Sequence, residues 1–197
     1  MKKVKKLATF LLVFLMVFSF VSCAKEKEVV VMDEMLSWGY YSSYQEALNE
    51  ADLVLVGTVK GIGEAYRYDF ELHPYEGKTT IYPAYYTPIE IKVDELIKGN
   101  YITSTVTYQA LGGEIDNVIY DYRATCTLDI EVGAQILVFL RLNSSEIGYE
   151  SISPGCVIIE DEKGRAVQNI KGGNTNESIE TMVDNIKLAK SLMEKVN

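Results

Sequence analysis

The sequence predicts a mainly β fold with a short N-terminal helix and an amphipathic C-terminal helix. Composition is the first observation, because 14 tyrosines stand beside six phenylalanines and one tryptophan, and β-branched residues occur throughout. Tyrosine and β-branched residues favour strands. Short segments of alternating apolar and polar residues are the second observation. The third is a final stretch whose apolar residues recur at helical spacing.

A capping box marks the first helix. In Ser43-Tyr44-Gln45-Glu46, the serine side chain is expected to accept a hydrogen bond from the Glu46 amide while the Glu46 carboxylate reaches back. We therefore expect a short helix over residues 44–51. The domain is expected to span residues 43–197.

The strands follow from alternation and from apolar runs. Ile89, Ile91 and Val93 alternate with charged residues, which gives a strand over 87–97 one buried and one solvated face. Residues 66–83 are expected to be a long, tyrosine-rich connection and 114–126 an acidic, tyrosine-bearing loop with irregular pairing. Further strands are predicted at 53–59, 103–111, 135–142, 147–152 and 156–160, and a hairpin turn at 161–164 leads into 165–169.

Residues 177–195 are predicted to form the last helix. Its lysines lie in the second half and its acids lean toward the first, as the helix dipole favours. The apolar stripe consists of Ile179, Met182, Val183, Ile186, Ala189, Leu192, Met193 and Val196. We expect this stripe to dock on the sheet. A helix lying on a membrane surface is the alternative, although the polar face is not markedly basic.

The N-terminus reads as an export signal that ends at a cysteine. Four lysines precede the uncharged run 7–22. As a helix this run would span about 24 Å, which is shorter than the ~30 Å hydrocarbon core of a bilayer. The run closes with Phe20-Val21-Ser22-Cys23, which resembles the lipobox of bacterial lipoproteins, although Phe20 replaces the usual leucine.

The lipobox resemblance implies that residues 1–22 are removed and that Cys23 carries a lipid anchor at the extracytoplasmic face of the cell membrane. Residues 23–42 would then be a tether. Two acyl chains give a stable membrane anchor, whereas a single chain gives only marginal attachment. The alternative is an ordinary secretory signal with an incidental cysteine.

Charge excludes one class of partner. The whole chain has a formal net charge of −9, and residues 1–22 contain four of its 19 basic residues. Without them 15 basic residues face 28 acidic ones, a net charge of −13. Such a surface is repelled by phosphate, so we expect no nucleic-acid partner and a domain that stands off the membrane on its tether.

Two cysteines remain after Cys23. An even number in an exported protein permits one disulfide, between Cys126 and Cys156. Two free, half-buried thiols are the alternative.

Several phrases resemble the netrin-like module of the tissue inhibitors of metalloproteinases. They are Asn49-Glu50-Ala51-Asp52 before the first strand, the segment 89–99, and the segment 126–133 leading into 136–140. The resemblance covers about residues 47–192 and implies an OB-like (netrin-like) β-barrel with a terminal helix.

The chain departs from those inhibitors at its N-terminus. They chelate the protease zinc through a Cys-x-Cys that this sequence lacks. Cys126 and Cys156 fall where that family has cysteines, but the usual N-terminal partners are absent, so these two would have to pair with each other if they are oxidised.

Tyrosines cluster between the first two main strands. They are Tyr66, Tyr68, Tyr75, Tyr82, Tyr85 and Tyr86. The loop between the first two strands of OB-folds is a common ligand-contact site, and tyrosine offers a flat face with a hydroxyl at small entropic cost. We therefore predict a recognition surface for protein or cell-wall glycan. The alternative is that these side chains fill the barrel or cover its end.

Catalytic motifs are absent from the sequence. His73 is the one histidine, and no Gly-x-Ser-x-Gly accompanies it. Residues 114–117 lack the acidic spacing of an EF-hand loop. We expect no enzyme activity, cofactor or metal, and predict a membrane-anchored, non-catalytic binding module. The alternatives are a protease-inhibitor-like protein that acts through its loops and a hydrolase whose carboxylates only the fold would bring together.

Overall fold

The computed structural model describes residues 27–32, 41–72, 79–101, 103–122, 127–143, 147–153, 156–160 and 177–196. The helices are α1 (Tyr44–Glu50) and α2 (Ile179–Val196), and Thr127–Asp129 form a 3-10 turn. The strands are β1 (Glu28–Val31), β2 (Leu53–Ile62), β3 (Tyr66–Leu72), β4 (Thr80–Lys98), β5 (Thr105–Leu111), β6 (Gly113–Ile115), β7 (Val118–Asp121), β8 (Gln135–Asn143), β9 (Gly148–Ser151) and β10 (Val157–Ile159). The predicted class, mainly β with α, is confirmed.

Five strands pair in a ring. β2 pairs with β4 and β8, β4 pairs with β5, and β9 pairs with both β5 and β8. Every pair is antiparallel except β5–β9, which is parallel. β10 lies beside β8 along 136–138, next to the part of β8 that β9 covers. A separate three-stranded sheet has the order β1-β7-β6.

β2 is buried on both faces, which explains its continuous apolar run. Successive side chains of a strand point to opposite sides. Leu53 and Leu55 therefore pack inside the ring with Ile89, Ile91, Val106, Tyr108, Ile136, Val138 and Leu140. Val54 and Val56 point outward and pack with the helices. We call the first cluster the ring core and the second the helix-side core.

α1 is held at both ends. The Ser43 Oγ accepts from the Glu46 N–H at 3.3 Å, and the Glu46 carboxylate accepts from the Ser42 N–H at 2.8 Å. The predicted cap is therefore present, with the reach-back made to Ser42. At the other end the Lys98 Nζ donates to the carbonyls of Leu48 and Ala51, the latter at 2.6 Å, which satisfies carbonyls left without a helical partner.

The described structure opens with a strand and not with a helix. β1 precedes α1 and pairs in parallel with β7. The expectation that a helix is the N-terminal element is therefore wrong. β1 also lies within the stretch 23–42 that was assigned to the tether, so four residues of that stretch are paired with the domain.

α2 docks on the sheet, as predicted. Ile179, Met182, Val183, Ile186 and Ala189 are buried in the helix-side core. Leu192, which the helical stripe included, is 48% exposed. The Lys190 Nζ donates to the Ile97 carbonyl at 2.8 Å, and the Lys187 Nζ lies 2.5 Å from the Glu95 carboxylate. Among the described residues, no helix combines the length and the apolar character that crossing a bilayer requires.

Two segments expected to be loops are largely strands. β3 and the first half of β4 form a hairpin over 66–72 and 80–86, so the predicted long connection over 66–83 is wrong for 66–72 and 80–83. β6 and β7 form a second hairpin over 113–121, where a loop with irregular pairing was expected from residue 114 onward. Its turn, Asp116-Asn117, has φ values of 52° and 66°, which aspartate and asparagine tolerate better than most residues. The hairpin turn predicted at 161–164 lies outside the described residues.

Candidate functional site

The β3–β4 hairpin carries the predicted tyrosines on two different faces. We call residues 66–72 and 80–86 the tyrosine arm. Directly opposed residues share a face, so Tyr66 lies beside Tyr86 and Tyr68 beside Ala84. Tyr85 opposes Arg67 on the other face. Tyr82 opposes Phe70, so four of the five described tyrosines share one face of the arm and Tyr85 alone lies on the other.

One face of the tyrosine arm is packed. Tyr66, Tyr68 and Phe70 contact the buried residues Ala84, Tyr86 and Ile147. The Tyr66 and Tyr86 ring centroids are 6.0 Å apart, and the Tyr66 hydroxyl donates to the Gln109 side-chain carbonyl at 3.3 Å. Tyr86 is 3% exposed, and burial, followed by the nearby Glu150 carboxylate, raises the pKa of its hydroxyl. These contacts agree with the alternative in which tyrosines cover an end of the barrel.

The other face meets the small sheet. The Tyr85 ring stacks on Tyr120 with centroids 3.5 Å apart and planes 11° apart. The Tyr122 hydroxyl accepts from the Tyr85 N–H at 3.2 Å. Tyr82 opposes Phe70 and so belongs to the packed face, where it is 36% exposed, and Tyr75 lies outside the described residues. A ligand-contact role for the six tyrosines stays a prediction, with Tyr82 the most accessible of the five that are described.

Glu150 is the centre of a polar network outside the ring. The Arg141 Nη2 and the Asn143 Nδ2 lie 3.1 Å and 2.8 Å from its two carboxylate oxygens. The Glu150 side chain is 14% exposed. Because Arg141 and Asn143 are on β8 and Glu150 is on β9, these contacts reinforce the antiparallel β8–β9 pair. The contacts with Arg141 and Asn143 therefore account for the partial burial of the Glu150 carboxylate, and no bound ligand is needed to explain it.

A groove lies where the ring meets the small sheet, and it is the candidate functional site. Its volume is about 670 Å³, within the range of pockets that take small molecules or single side chains of a partner. Four chain segments build it. The lining consists of Ile62, Gly63, Glu64, Ala65, Thr87, Gly113, Glu114, Ile115, Asp116, Asn117, Leu128 and Ile130.

Close packing shapes the floor of the groove. Gly113 has a φ of +142°, and a Cβ there would lie 2.2 Å from the Thr87 Oγ1 and 2.7 Å from the Ala65 Cβ. The buried Thr87 hydroxyl donates to the Gly112 carbonyl at 2.6 Å. Ile130 is buried and belongs to the ring core. The floor of the groove is therefore closely packed.

The groove wall combines exposed apolar side chains with carboxylates. Ile62 is 43% exposed and Leu128 is 51% exposed. Of the acids, Glu114 forms an ion pair with the Lys27 Nζ, which donates to its carboxylate at 2.6 Å, whereas Glu64 and Asp116 make no ion pair within the described part of the chain. This arrangement suits an apolar group that lies beside a positive charge.

Sequence reasoning missed the groove. Its residues come from the end of β2, from β4, from the β6–β7 hairpin and from the 3-10 turn, so no short motif contains them. Two signals were present in the sequence. The Asp116-Asn117 pair is typical of a tight hairpin turn, and Ile62 and Leu128 are apolar residues with mostly small or polar neighbours in the sequence.

The cysteines are only partly described. Cys156 is buried in the helix-side core, and burial raises the pKa of its thiol to about 12. It is fully buried, not half-buried. Cys126 and Cys23 lie outside the described residues, so the disulfide and the lipid anchor stay predictions.

His73 also lies outside the described residues. Within the described ranges, histidine, cysteine and carboxylate side chains form no group of three that could bind a metal ion.

No model of a known protein family matches the chain, and a comparison with curated proteins finds no match.

Proposed function

We propose that this protein is a non-catalytic binding protein, anchored through a lipid on Cys23 to the extracytoplasmic face of the cell membrane. The run of uncharged residues that ends at Phe20-Val21-Ser22-Cys23 supports this location. The acidic composition of the remaining chain agrees with a domain that does not lie on anionic lipid.

We further propose that the ring is an OB-like barrel of the netrin-like type. β2, β4 and β5 are successive neighbours and β8 returns beside β2, which is a Greek-key order. A five-stranded Greek-key barrel is the description of the OB-fold. The position of α2 against the sheet agrees with the terminal helix of the netrin-like module.

The groove is the proposed ligand site, and its ligand is an extended polypeptide segment. One observation carries this proposal: the exposed Ile62 and Leu128 meet the carboxylates of Glu64 and Asp116 in a single concavity. An apolar side chain next to a lysine or arginine would complement both features. None of the lining residues is aromatic, so the groove lacks the flat faces on which sugars stack, and it favours protein over cell-wall glycan.

Peptide binding tests the groove. The probe is a fluorescent nonapeptide with a central leucine flanked by lysines, and its counterpart has glutamates in place of the lysines. The protein starts at residue 23 with Cys23→Ala, which keeps it in solution. We expect the lysine peptide to bind and Leu128→Ser to weaken it about tenfold, the effect of losing roughly 1.4 kcal/mol of apolar contact.

Val132→Ser is the matched control. Val132 is 63% exposed, lies four residues from Leu128 and does not line the groove. Equal affinity in the two variants would show that the peptide is held by net charge alone and would refute the groove as its site. Binding of cell-wall glycan fragments that is lost in Tyr82→Ala would instead favour the tyrosine arm.

Intact mass of membrane-extracted protein tests the anchor. We expect a chain that lacks residues 1–22 and carries a diacylglyceryl group, and we expect Cys23→Ala to abolish the modification. An unmodified or uncleaved wild-type chain would refute the lipoprotein proposal.

A protease-inhibitor-like activity is the second proposal. The strand order of the ring, which agrees with the barrel of the tissue inhibitors, is the observation that favours it. Because the zinc-chelating Cys-x-Cys is absent, any inhibition would act through loops. A metalloprotease panel tests this directly, and no inhibition at micromolar protein would exclude it for the proteases assayed.

A further inference from the structure

The chain enters the described structure beside the groove. β1 runs parallel to β7 with Glu28 opposite Val118, the residue that follows the Asp116-Asn117 turn. Lys27 pairs with Glu114, which lines the groove. At the other end of β1, the Met32 N–H donates to the Asp121 carbonyl at 2.9 Å. The N-terminal end of β1 is therefore next to the groove wall.

Covalent geometry limits how far this end can lie from Cys23. Glu28 is five residues after Cys23, and an extended chain spans at most about 3.6 Å per residue, or roughly 18 Å here. After residues 27–32, the next described residue is Tyr41, 18 residues after Cys23, and an extended chain of that length reaches at most roughly 65 Å. The pairing of β1 therefore places a described part of the domain much closer to Cys23.

We propose that β1 makes the groove-bearing end the membrane-facing end of the molecule, so that the groove meets ligands displayed at the bilayer surface. This inference rests on the proposed lipid anchor at Cys23. The carboxylates of Glu64, Glu114 and Asp116 would be repelled by anionic head groups within a Debye length of about 8 Å. The tether keeps the N-terminal end of β1 within about 18 Å of Cys23 and therefore of the bilayer surface. A gap of that width admits an extended chain. It is too narrow for a folded domain of 100 residues, whose radius of gyration is about 13 Å.

The opposite end of the ring supplies an internal reference. β2 and β4 run antiparallel from the groove, at Ile62 and Ile89, to Val54 and Lys98. Eight residues of strand separate Val54 from Ile62, about 26 Å at 3.3 Å per residue. Asn100 is exposed just beyond Lys98 and is therefore at the far end.

Energy transfer to the bilayer tests the orientation. The lipidated protein is reconstituted in vesicles that contain acceptor-labelled lipid, with a donor fluorophore on an azide-bearing residue at position 117 or at position 100. We expect clearly more transfer from position 117. A Val29→Pro/Val30→Pro variant, which disrupts β1, should reduce transfer from position 117 toward that from position 100.

A second variant guards against misfolding of the proline chain. Twelve Gly/Ser residues inserted after Ala24 leave β1 intact and lengthen the tether by roughly 19 Å root mean square, and they should also reduce the transfer from position 117. Equal transfer from both positions in a protein whose mass shows the lipid would overturn the orientation alone. A mass without the lipid would overturn the anchor and the orientation together.

Discussion

At the residue scale, the close approach of the paired strands β2 and β4 depends on Gly57. A Cβ at this position would lie 2.3 Å from the Lys92 carbonyl oxygen and 2.3 Å from the Ile91 Cγ2. At Gly61, on the same strand, the nearest atom is 3.6 Å away. We expect Gly57→Ala to lower the free energy of unfolding by about 2 kcal/mol and Gly61→Ala by less than about 0.5 kcal/mol, measured by urea unfolding. Equal losses would contradict the close approach.

Cys156 makes a second prediction, on stability at high pH. Burial raises the pKa of the folded thiol from 9.0 to about 12. The unfolded thiol therefore loses its proton first, and the stability contributed by the neutral buried thiol is lost as pH rises from about 9 toward 12. We expect the free energy of unfolding to fall between about pH 9 and pH 11, and Cys156→Ala to reduce the slope of that fall.

The same experiment bears on the predicted disulfide. Burial also raises the pKa of Tyr86, so some fall should remain in Cys156→Ala, above pH 10. If the slope is unchanged by Cys156→Ala, the thiol does not titrate in the unfolded chain, as expected of a disulfide between Cys126 and Cys156.

At the scale of elements, α2 contributes stability through one face. Ile186 is 0% exposed and packs in the helix-side core, whereas Leu188, two residues later, is 59% exposed. Removing buried methyl groups costs their transfer free energy and leaves a cavity. We expect Ile186→Ala to lower the free energy of unfolding by about 2–4 kcal/mol and Leu188→Ala to change it by less than about 0.5 kcal/mol. A large loss in Leu188→Ala would indicate that α2 has a second packed face.

At the scale of the whole molecule, net charge dominates the electrostatics. The exposed ion pairs are each worth little and are weakened by salt. The self-repulsion that accompanies a charge of −13 in the chain without residues 1–22 is also screened. Because acids outnumber bases so strongly, we expect the second effect to prevail, and the unfolding midpoint to rise by a few degrees between about 20 mM and 500 mM sodium chloride.

Charge reversal provides the control. Glu71 and Glu90 are exposed, and changing both to lysine removes two negative charges and adds two positive ones, which changes the net charge from −13 to −9. The rise of the unfolding midpoint with sodium chloride should be smaller in this variant than in the wild-type chain. A midpoint that falls with salt in the wild-type chain would show that the ion pairs outweigh the repulsion.

Local signals were sufficient where an element is stabilised by its own neighbours. The Ser43–Glu46 cap forms at the start of α1, and the alternation of Ile89 and Ile91 places both in the ring core. The apolar stripe of α2 gave its docked face but included Leu192, which is largely exposed. Periodicity assigns a side chain to a face of the helix but does not show how far along the helix the packed contact extends.

The two missed strands, β3 and β1, differ in the local signal that they carry. Residues 66–72 alternate aromatic or apolar side chains with charged ones, which is a local strand pattern, and they pair with 80–86. β1 has four residues, too few for a periodic pattern, and depends on β7, about 90 residues away, for its hydrogen bonds.

The sequence by itself determined the mainly β class, the helix that follows Ser43, the C-terminal helix and the acidic charge, because these follow from composition and from local spacing, whereas the lipid anchor stays a prediction. Only the tertiary structure decided that the strands close into a ring, that the tyrosines divide between two faces, and that four distant segments form a groove beside β1. The physical reason is that burial and hydrogen bonding between segments far apart in the chain depend on register and closure, which no local pattern encodes.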